Sequence, residues 1–172
     1  MKIMQLCVGV VATNCYIVYD ENTRDAVVID PGDNARSILM AVGQESLTVK
    51  YVLLTHAHFD HILAAHEVLQ KTGAKFVVPE GDLWLLKREN MGQFGMFART
   101  YVEDQPDIVA KEGTEVTFGG LTATYMSTPG HTPGSSVIRI EDCLFTGDTL
   151  FRHECGRCDM DGGDFGQMLQ SL

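Results

Sequence analysis

Three histidines and an aspartate fall within six consecutive residues of this chain, at His56, His58, Asp60 and His61. Imidazole and carboxylate groups are common ligands of divalent metal ions. In extended backbone, His56 and His58 point to the same side and can share one ion. Asp60 and His61 lie just beyond, in the first helical turn, and can face a neighbouring point. The spacing therefore predicts a site for one or two metal ions.

The residues on either side predict where this cluster lies in the fold. The apolar run 51–54 is typical of a buried strand, and the apolar residues of 62–71 recur at helical spacing. The cluster then sits at the carboxyl end of a strand, where open α/β sheets place their ligands. These ligands suit zinc, iron or manganese, and the cluster contains no thiolate that would narrow the choice. The alternative is a coincidental surface histidine cluster.

Two later loops carry further candidate ligands. His131 lies between prolines and glycines in Thr-Pro-Gly-His-Thr-Pro-Gly, which restrict the backbone and orient an imidazole at low entropic cost. Asp148 occupies a similar position in Thr-Gly-Asp-Thr. Each residue alone is equally typical of an ordinary turn. After the first cluster, in this order, they supply one more imidazole and one more carboxylate.

Composition limits the class of protein. A chain of 172 residues that is 45% hydrophobic and 21% charged predicts one globular domain, residues 1–172. The net charge of −10 argues against a nucleic-acid partner. No apolar run reaches membrane-spanning length, so no membrane partner is expected. Five cysteines without framework spacing favour a reducing cytoplasm.

The remaining pattern predicts strands that fall in two groups, each broken by helices. This favours two sheets with helices outside over one doubly wound sheet. The segment 90–100, rich in Met and Phe, is either a loop over a pocket or an edge of the core. Strands are predicted at 1–8, 15–19, 26–29, 51–54, 75–78, 115–118, 121–126, 136–140 and 143–146, and helices at 33–42, 62–71, 79–89 and 164–172.

Taken together, these motifs resemble the metallo-β-lactamase-fold hydrolases, and most of all their small bacterial glyoxalase II-like branch. The matching segments are Asp30, Thr-His-Ala-His-Phe-Asp-His, Thr-Pro-Gly-His-Thr-Pro-Gly-Ser, Thr-Gly-Asp-Thr-Leu-Phe, Cys-Gly-Arg at 155–157 and Gly-Gly-Asp at 162–164. The resemblance implies an α/β fold, the αβ/βα sandwich, in which two mixed sheets pack face to face with helices outside. It places the metals at the edge between the sheets.

The resemblance also implies a role for each candidate residue. Asp30 would hold the histidine cluster in place, and Arg157 would contact a substrate carboxylate or the tail of a thioester. The first metal would be bound by His56, His58 and His131, and the second by Asp60 and His61, with Asp148 bridging the two.

One feature of the family pattern has no counterpart here. The family carries a further histidine in a Gly-His-Gly-Pro-like segment, whereas no histidine follows His153 in this chain. We therefore expect a C-terminally short form of the fold. Its second metal would be weak, absent or completed by another chain, and exposed apolar surface would favour a homo-oligomer. His153 itself is a poor substitute ligand.

The implied activity is hydrolysis of a small-molecule thioester, such as S-D-lactoylglutathione, or of a related ester by a metal-bound hydroxide. Asp60 would orient the nucleophile or accept its proton. Lactonases share the fold and remain an alternative. A second alternative is a persulfide dioxygenase with one iron bound by His56, His131 and Asp148. A third is a metal-binding protein without activity.

Smaller signals have ordinary explanations. Cys155 and Cys158 have the spacing of a redox or zinc pair, but no second pair is present, so we expect them at the rim of a pocket. His66 shares the apolar face of its predicted helix and is expected to pack or to support the site. Cys7 and Cys15 are predicted to be small core residues.

Overall fold

Two β-sheets pack against each other in a computed structural model, which describes residues 1–96, 98 and 101–172. The first sheet is mixed, with β1 to β3 antiparallel and β3 to β6 parallel, and its strands follow chain order. Its strands are β1 Lys2–Val8, β2 Thr13–Tyr19, β3 Asp25–Ile29, β4 Thr48–Leu53, β5 Lys75–Pro79 and β6 Ile108–Ala110. The sequence pattern did not predict β6.

The second sheet has the strand order β10-β9-β8-β7, and every pairing in it is antiparallel. The expectation of two mixed sheets is therefore correct for the first sheet only. The difference arises because the connections in the second sheet, at 119–120, 128–135 and 141–142, are shorter than the dozen or more residues that a parallel crossover needs. Its strands are β7 Glu115–Phe118, β8 Leu121–Ser127, β9 Ser136–Ile140 and β10 Cys143–Phe145.

In the described residues, four α-helices accompany the sheets: α1 Ala35–Gln44, α2 Phe59–Ile62, α3 Ala65–Thr72 and α4 Phe165–Ser171. The helix predicted at 62–71 starts earlier and is interrupted, since the Ala64 N–H donates to the carbonyl of Pro31 and not to the preceding turn. The helix predicted at 79–89 is instead a 3-10 helix, Glu80–Leu86, followed by 3-10 turns over Arg88–Met96 that are interrupted at Gly92. No helix in the described residues is long and apolar enough to cross a bilayer.

Both faces of β3 and β5 are buried beyond their first residues, which explains the unbroken apolar runs in these central strands. Val27 and Ile29 of β3 face the second sheet, where they pack with Tyr125 and Ile138. Val28 faces the opposite way, toward the helices. Two layers of apolar contacts therefore hold the sandwich together.

Two smaller predictions can be compared with the structure. Cys15 is buried as expected, but Cys7 is exposed, because alternate residues of the edge strand β1 point to solvent. In the segment 90–100, Met91 is buried and Met96 is exposed. Phe97 lies outside the described residues, so the prediction for that segment stays a prediction.

A turn of the first sheet and a turn of the second sheet meet at Asp20. Its buried carboxylate accepts hydrogen bonds from the backbone N–H groups of Asn22 and Gly120, the second of which belongs to the β7–β8 turn. Gly119 has φ +58° there, and a Cβ at this position would lie 2.6 Å from Asp20 Oδ2. Glycine is therefore required both by conformation and by the close approach of the two turns.

This contact predicts the effect of a Gly119→Ala substitution on stability. Adopting a left-handed conformation costs a non-glycine residue about 1–2 kcal/mol. Gly119→Ala should cost more, since the added methyl meets Asp20. Gly113→Ala is the matched control, because Gly113 has φ +74° with nothing within 4 Å of its Cβ position. Urea denaturation measures both, and equal losses in free energy of unfolding would contradict the contact.

Candidate metal centre

The histidine cluster lies at the carboxyl end of β4, as the strand pattern predicts. Residues 55–58 form a loop between β4 and α2, and a second loop between β8 and β9 brings His131 to it. The possible ligand atoms of His56, His58 and His131 lie within 4.8 Å of one another. His58 Nδ1 and His131 Nε2 are 2.8 Å apart. Three imidazoles from two sheets therefore converge on one point.

A second group of possible ligands overlaps the first and consists of His56, His61 and Asp148. Asp148 Oδ1 lies 3.4 Å from His61 Nε2, and Asp148 Oδ2 lies 3.3 Å from His131 Nε2. The two oxygens of one carboxylate thus face imidazoles of different groups. This is the arrangement that a bridging carboxylate requires.

Hydrogen bonds define which ring nitrogens present a lone pair. The Thr55 hydroxyl donates to Asp30 Oδ2 at 2.7 Å, so it accepts from His56 Nδ1 at 3.2 Å and leaves Nε2 as the acceptor atom. The carbonyl of Arg157 can only accept, so His131 Nδ1, 2.6 Å away, is the donor and His131 Nε2 carries the lone pair. Such bonds are typical of the outer partners of metal-binding histidines.

One of these lone pairs has no hydrogen-bond donor in the described part of the chain. His56 Nε2 is fully buried and has no hydrogen-bond partner among the described residues. A buried polar atom without a partner costs free energy, and a bound cation removes that cost. The donor set around it is made of imidazoles and a carboxylate, so the residues present fit a divalent metal ion.

The protonation of the first group also suits a cation. Burial, followed by the charge of His61, lowers the pKa of His56 well below its usual value. Burial, followed by the charge of His131, lowers the pKa of His58 to about 4. Both rings are therefore neutral at pH 7, which is the form that binds a metal.

Charges in the second group are paired. Burial disfavours a protonated His61, but the carboxylates of Asp30 and Asp148 outweigh it and raise the pKa of His61 well above its usual value. Burial likewise opposes ionisation of Asp148, yet the hydrogen bond and charge of His61 hold its pKa below the usual value. The protein alone already balances positive and negative charge at this point.

Asp30 lies beneath the cluster, at the end of β3. Its carboxylate accepts from the N–H and the hydroxyl of Thr55 and lies 3.0 Å from His61 Nδ1. Its backbone is left-handed, with φ +51°, which is uncommon for a residue other than glycine. Asp30 therefore contacts Thr55, which supports His56 of the first group, and His61 of the second group. It belongs to neither group of ligands itself.

Asp60 stands at the open side of the site. Its Oδ2 accepts a 2.9 Å hydrogen bond from the Thr13 hydroxyl and lies 3.4 Å from His61 Nε2. Neither group of converging ligand atoms includes it. Asp60, His61 and Asp148 line a cavity of about 530 Å³, so the carboxylate faces the space in which a substrate could bind.

Arg157 lines a second cavity, of about 250 Å³, next to His58. Its exposed guanidinium is paired with Asp159 at 2.6 and 2.8 Å, and the pairing raises the pKa of Arg157. The contact of Arg157 with the cluster is through its backbone carbonyl, which accepts from His131.

The other candidate histidines and cysteines lie outside the two ligand groups. His153 is exposed. His66 is half-buried and pairs with Asp104 at 2.9 Å. Cys155 and Cys158 are half-buried on the segment that carries Arg157.

Sequence reasoning missed several supporting residues. Thr13 belongs to no chemical motif, and Thr55, although it opens the Thr-His-Ala-His-Phe-Asp-His segment, received no role of its own. Asp82 is fully buried, and no pattern in its neighbourhood marks it as part of the site.

Comparison with known proteins agrees with this geometry. The chain is 30% identical to the hydroxyacylglutathione hydrolase GloC of Haemophilus influenzae, over 92% of this chain and 76% of that protein. The structure of BLEG-1 B3 metallo-beta-lactamase matches with TM-score 0.90 and 33% identity, covering 99% of this chain and 83% of that one. The structure of ETHE1 from Myxococcus xanthus matches with TM-score 0.79 and 31% identity, covering 99% of this chain and 68% of that one.

The model of the metallo-beta-lactamase superfamily matches residues 8–172. With the sandwich of two sheets and the converging histidines and aspartate, this match shows that the chain belongs to the metallo-beta-lactamase superfamily, a superfamily of metal-dependent hydrolases.

Proposed function

We propose that this protein hydrolyses a thioester of the S-D-lactoylglutathione type, or a related ester, at a zinc-dependent centre. The observation that carries the proposal is the meeting of the two ligand groups at Asp148, whose oxygens face His61 and His131. Similarity to a hydroxyacylglutathione hydrolase favours a thioester among the possible substrates.

The residues that would hold the first ion are His56, His58 and His131, with Asp148 between this group and His61. A divalent ion bound there supplies a water of lowered pKa and polarises the carbonyl of the substrate. The neutral state of His56 and His58 keeps their lone pairs available at pH 7.

The proposed role of Asp60 is to orient the nucleophile or accept its proton. The hydrogen bond from Thr13 to Oδ2 fixes the carboxylate, while partial exposure keeps it in reach of the cavity. Asp30, through Thr55, would keep His56 in the tautomer that offers Nε2. A catalytic serine is not needed for this chemistry.

The second candidate is oxidation of a persulfide at one iron ion. It is favoured by the similarity to ETHE1, a persulfide dioxygenase. His56, His131 and Asp148 would then be the three ligands, since two histidines and a carboxylate suit non-haem iron. Lactone hydrolysis uses the same residues as thioester hydrolysis and differs only in the substrate that the cavity admits.

Metal analysis combined with two assays separates these candidates. The purified protein should contain zinc and should hydrolyse S-D-lactoylglutathione without consuming oxygen. A panel of thioesters and lactones then defines the substrate. Iron at one ion per chain, together with oxygen uptake on a persulfide, would overturn hydrolysis as the function.

Removing one proposed ligand should abolish activity and preserve the fold. His58→Ala and Asp148→Ala should each lower kcat/KM by more than about 100-fold, beyond the loss caused by removing an outer hydrogen-bond partner. Circular dichroism should show an unchanged fold. His66→Ala is the control, because His66 pairs with Asp104 outside both groups. Unchanged turnover in either ligand variant would count against the proposed centre.

Removing the metal should lower the thermal stability of the protein. A ligand at roughly 100 times its Kd stabilises the folded state by about 2.7 kcal/mol, so chelation should lower Tm and added zinc should restore it. His153→Ala should show the same response as the wild type, since His153 is exposed and belongs to neither group. A Tm that does not change on chelation and re-addition of zinc would contradict the prediction.

Arg157 is proposed to contact a carboxylate of the substrate or the tail of the thioester. Arg157→Ala should then raise KM about three- to tenfold and leave kcat nearly unchanged, because uniform binding is lost. Steady-state kinetics measures both constants. Arg139→Ala is the control, as Arg139 is an exposed residue of β9 away from this cavity. An unchanged KM would remove Arg157 from the substrate site.

A further inference from the structure

The proposed ligands of the first ion are carried by two loops that belong to different sheets. His56 and His58 follow β4 of the first sheet, and His131 follows β8 of the second. The spacing of the three rings therefore depends on how the two loops are held together. One backbone hydrogen bond, from Ser136 N–H to the Thr55 carbonyl at 2.9 Å, joins them directly.

A single buried carboxylate, that of Asp82, bonds to both loops. Its Oδ2 accepts from the N–H of Ala57 at 2.9 Å and from the hydroxyl of Thr132 at 2.8 Å. Its Oδ1 accepts from the N–H of Gly134 at 2.7 Å. Ala57 lies between the two ligand histidines of the first loop, and Thr132 directly follows His131. Asp82 thus contacts each loop next to its proposed ligands.

The backbone of the second loop is shaped to admit this carboxylate. A Cβ on Gly134 would lie 2.6 Å from the backbone nitrogen and from the carboxylate of Asp82. Only glycine allows the loop to approach so closely. The short distance from Gly134 N–H to Oδ1 is a consequence of that approach.

The buried carboxylate of Asp82 is unfavourable for stability. It has no exposed surface, and no Lys or Arg side chain in the described part of the chain forms an ion pair with it. Burial raises the pKa of Asp82, although its three hydrogen bonds oppose that shift. A buried carboxylate without a cationic partner costs free energy that an apolar side chain would not.

We infer that Asp82 is a positioning residue, which sets the distance between the His56–His58 loop and the His131 loop and so determines the metal affinity of the site. The inference rests on the proposed metal centre. Asp82 does not contact the ion; it acts through Ala57, Thr132 and Gly134.

The test is the zinc affinity of Asp82→Asn, measured by competition with a chromophoric chelator. Asparagine keeps the size of the side chain, but its NH₂ group must face an N–H donor, either that of Ala57 or that of Gly134. We expect zinc to bind about 10–100-fold more weakly, the range typical of residues that orient metal ligands.

Asp20→Asn is the matched control. Asp20 is also a buried carboxylate that accepts two backbone N–H groups, but it joins the turns of the two sheets away from the site. Asp20→Asn should lower the Tm of the metal-free protein and keep wild-type zinc affinity. Equal loss of zinc affinity in the two variants would show that Asp82 acts through global stability and would overturn the inference.

The outcomes separate this inference from the proposed function. Failure of the wild type to bind zinc would overturn the metal centre itself. Wild-type binding together with unchanged affinity in Asp82→Asn would overturn only the role of Asp82. Should Asp82→Asn not fold, Thr132→Val takes its place. It removes one of the three bonds and should weaken zinc binding severalfold, and unchanged affinity there would overturn the inference.

Discussion

The structure depends on a buried point at which lone pairs converge. His56, His58 and His131 are buried and direct their ring nitrogens at a common point, and His56 Nε2 has no hydrogen-bond partner in the described part of the chain. Such a cluster opposes folding unless a cation satisfies it. The hydrogen bonds of Thr55 and of the Arg157 carbonyl therefore hold the His56 and His131 rings in place, with their Nε2 lone pairs directed toward the cluster.

The sandwich supplies the parts of this site from opposite directions. β3 and β4 are parallel, so Asp30 and Thr55 emerge at the same edge of the first sheet, where the Asp30 N–H also bonds to the Leu53 carbonyl at 3.0 Å. The second sheet contributes His131 and Asp148 from the ends of β8 and β10. Neither sheet alone holds a complete set of ligands, so the site forms only when the two sheets pack against each other.

Sequence alone was sufficient for the parts of the site that local pattern encodes. The spacing of the residues in 56–61 predicts metal binding, and the apolar run 51–54 predicts that the cluster follows a strand. The grouping of His61 with His56 and Asp148 could not be predicted in the same way, because it depends on how α2 begins beside Asp30. Asp82 was missed for a related reason: its three partners lie 25 to 52 residues away, and no local signal marks a contact of that kind. The interruption of the helix at Ala64 likewise comes from a distant carbonyl, that of Pro31.

The overlap of the two ligand groups limits how they can be filled. Nδ1 of His56 is occupied by Thr55, so His56 offers one lone pair and can bind one ion only. An ion held by His56, His58 and His131 would leave a second ion to His61 and Asp148, with Asp60 as the nearest further carboxylate, 3.4 Å from His61 Nε2. The side chains of Asp60 and Asp148 are 21% and 26% exposed, whereas the imidazoles of the first group are buried. The second position is therefore more exposed to solvent and has fewer nitrogen ligands. A cation there would also compete with the charge pairing between His61 and its neighbouring carboxylates. If metal ions bind here, we expect the first position to fill before the second, and we expect the affinity of the second to depend on the first, since Asp148 would be shared by both.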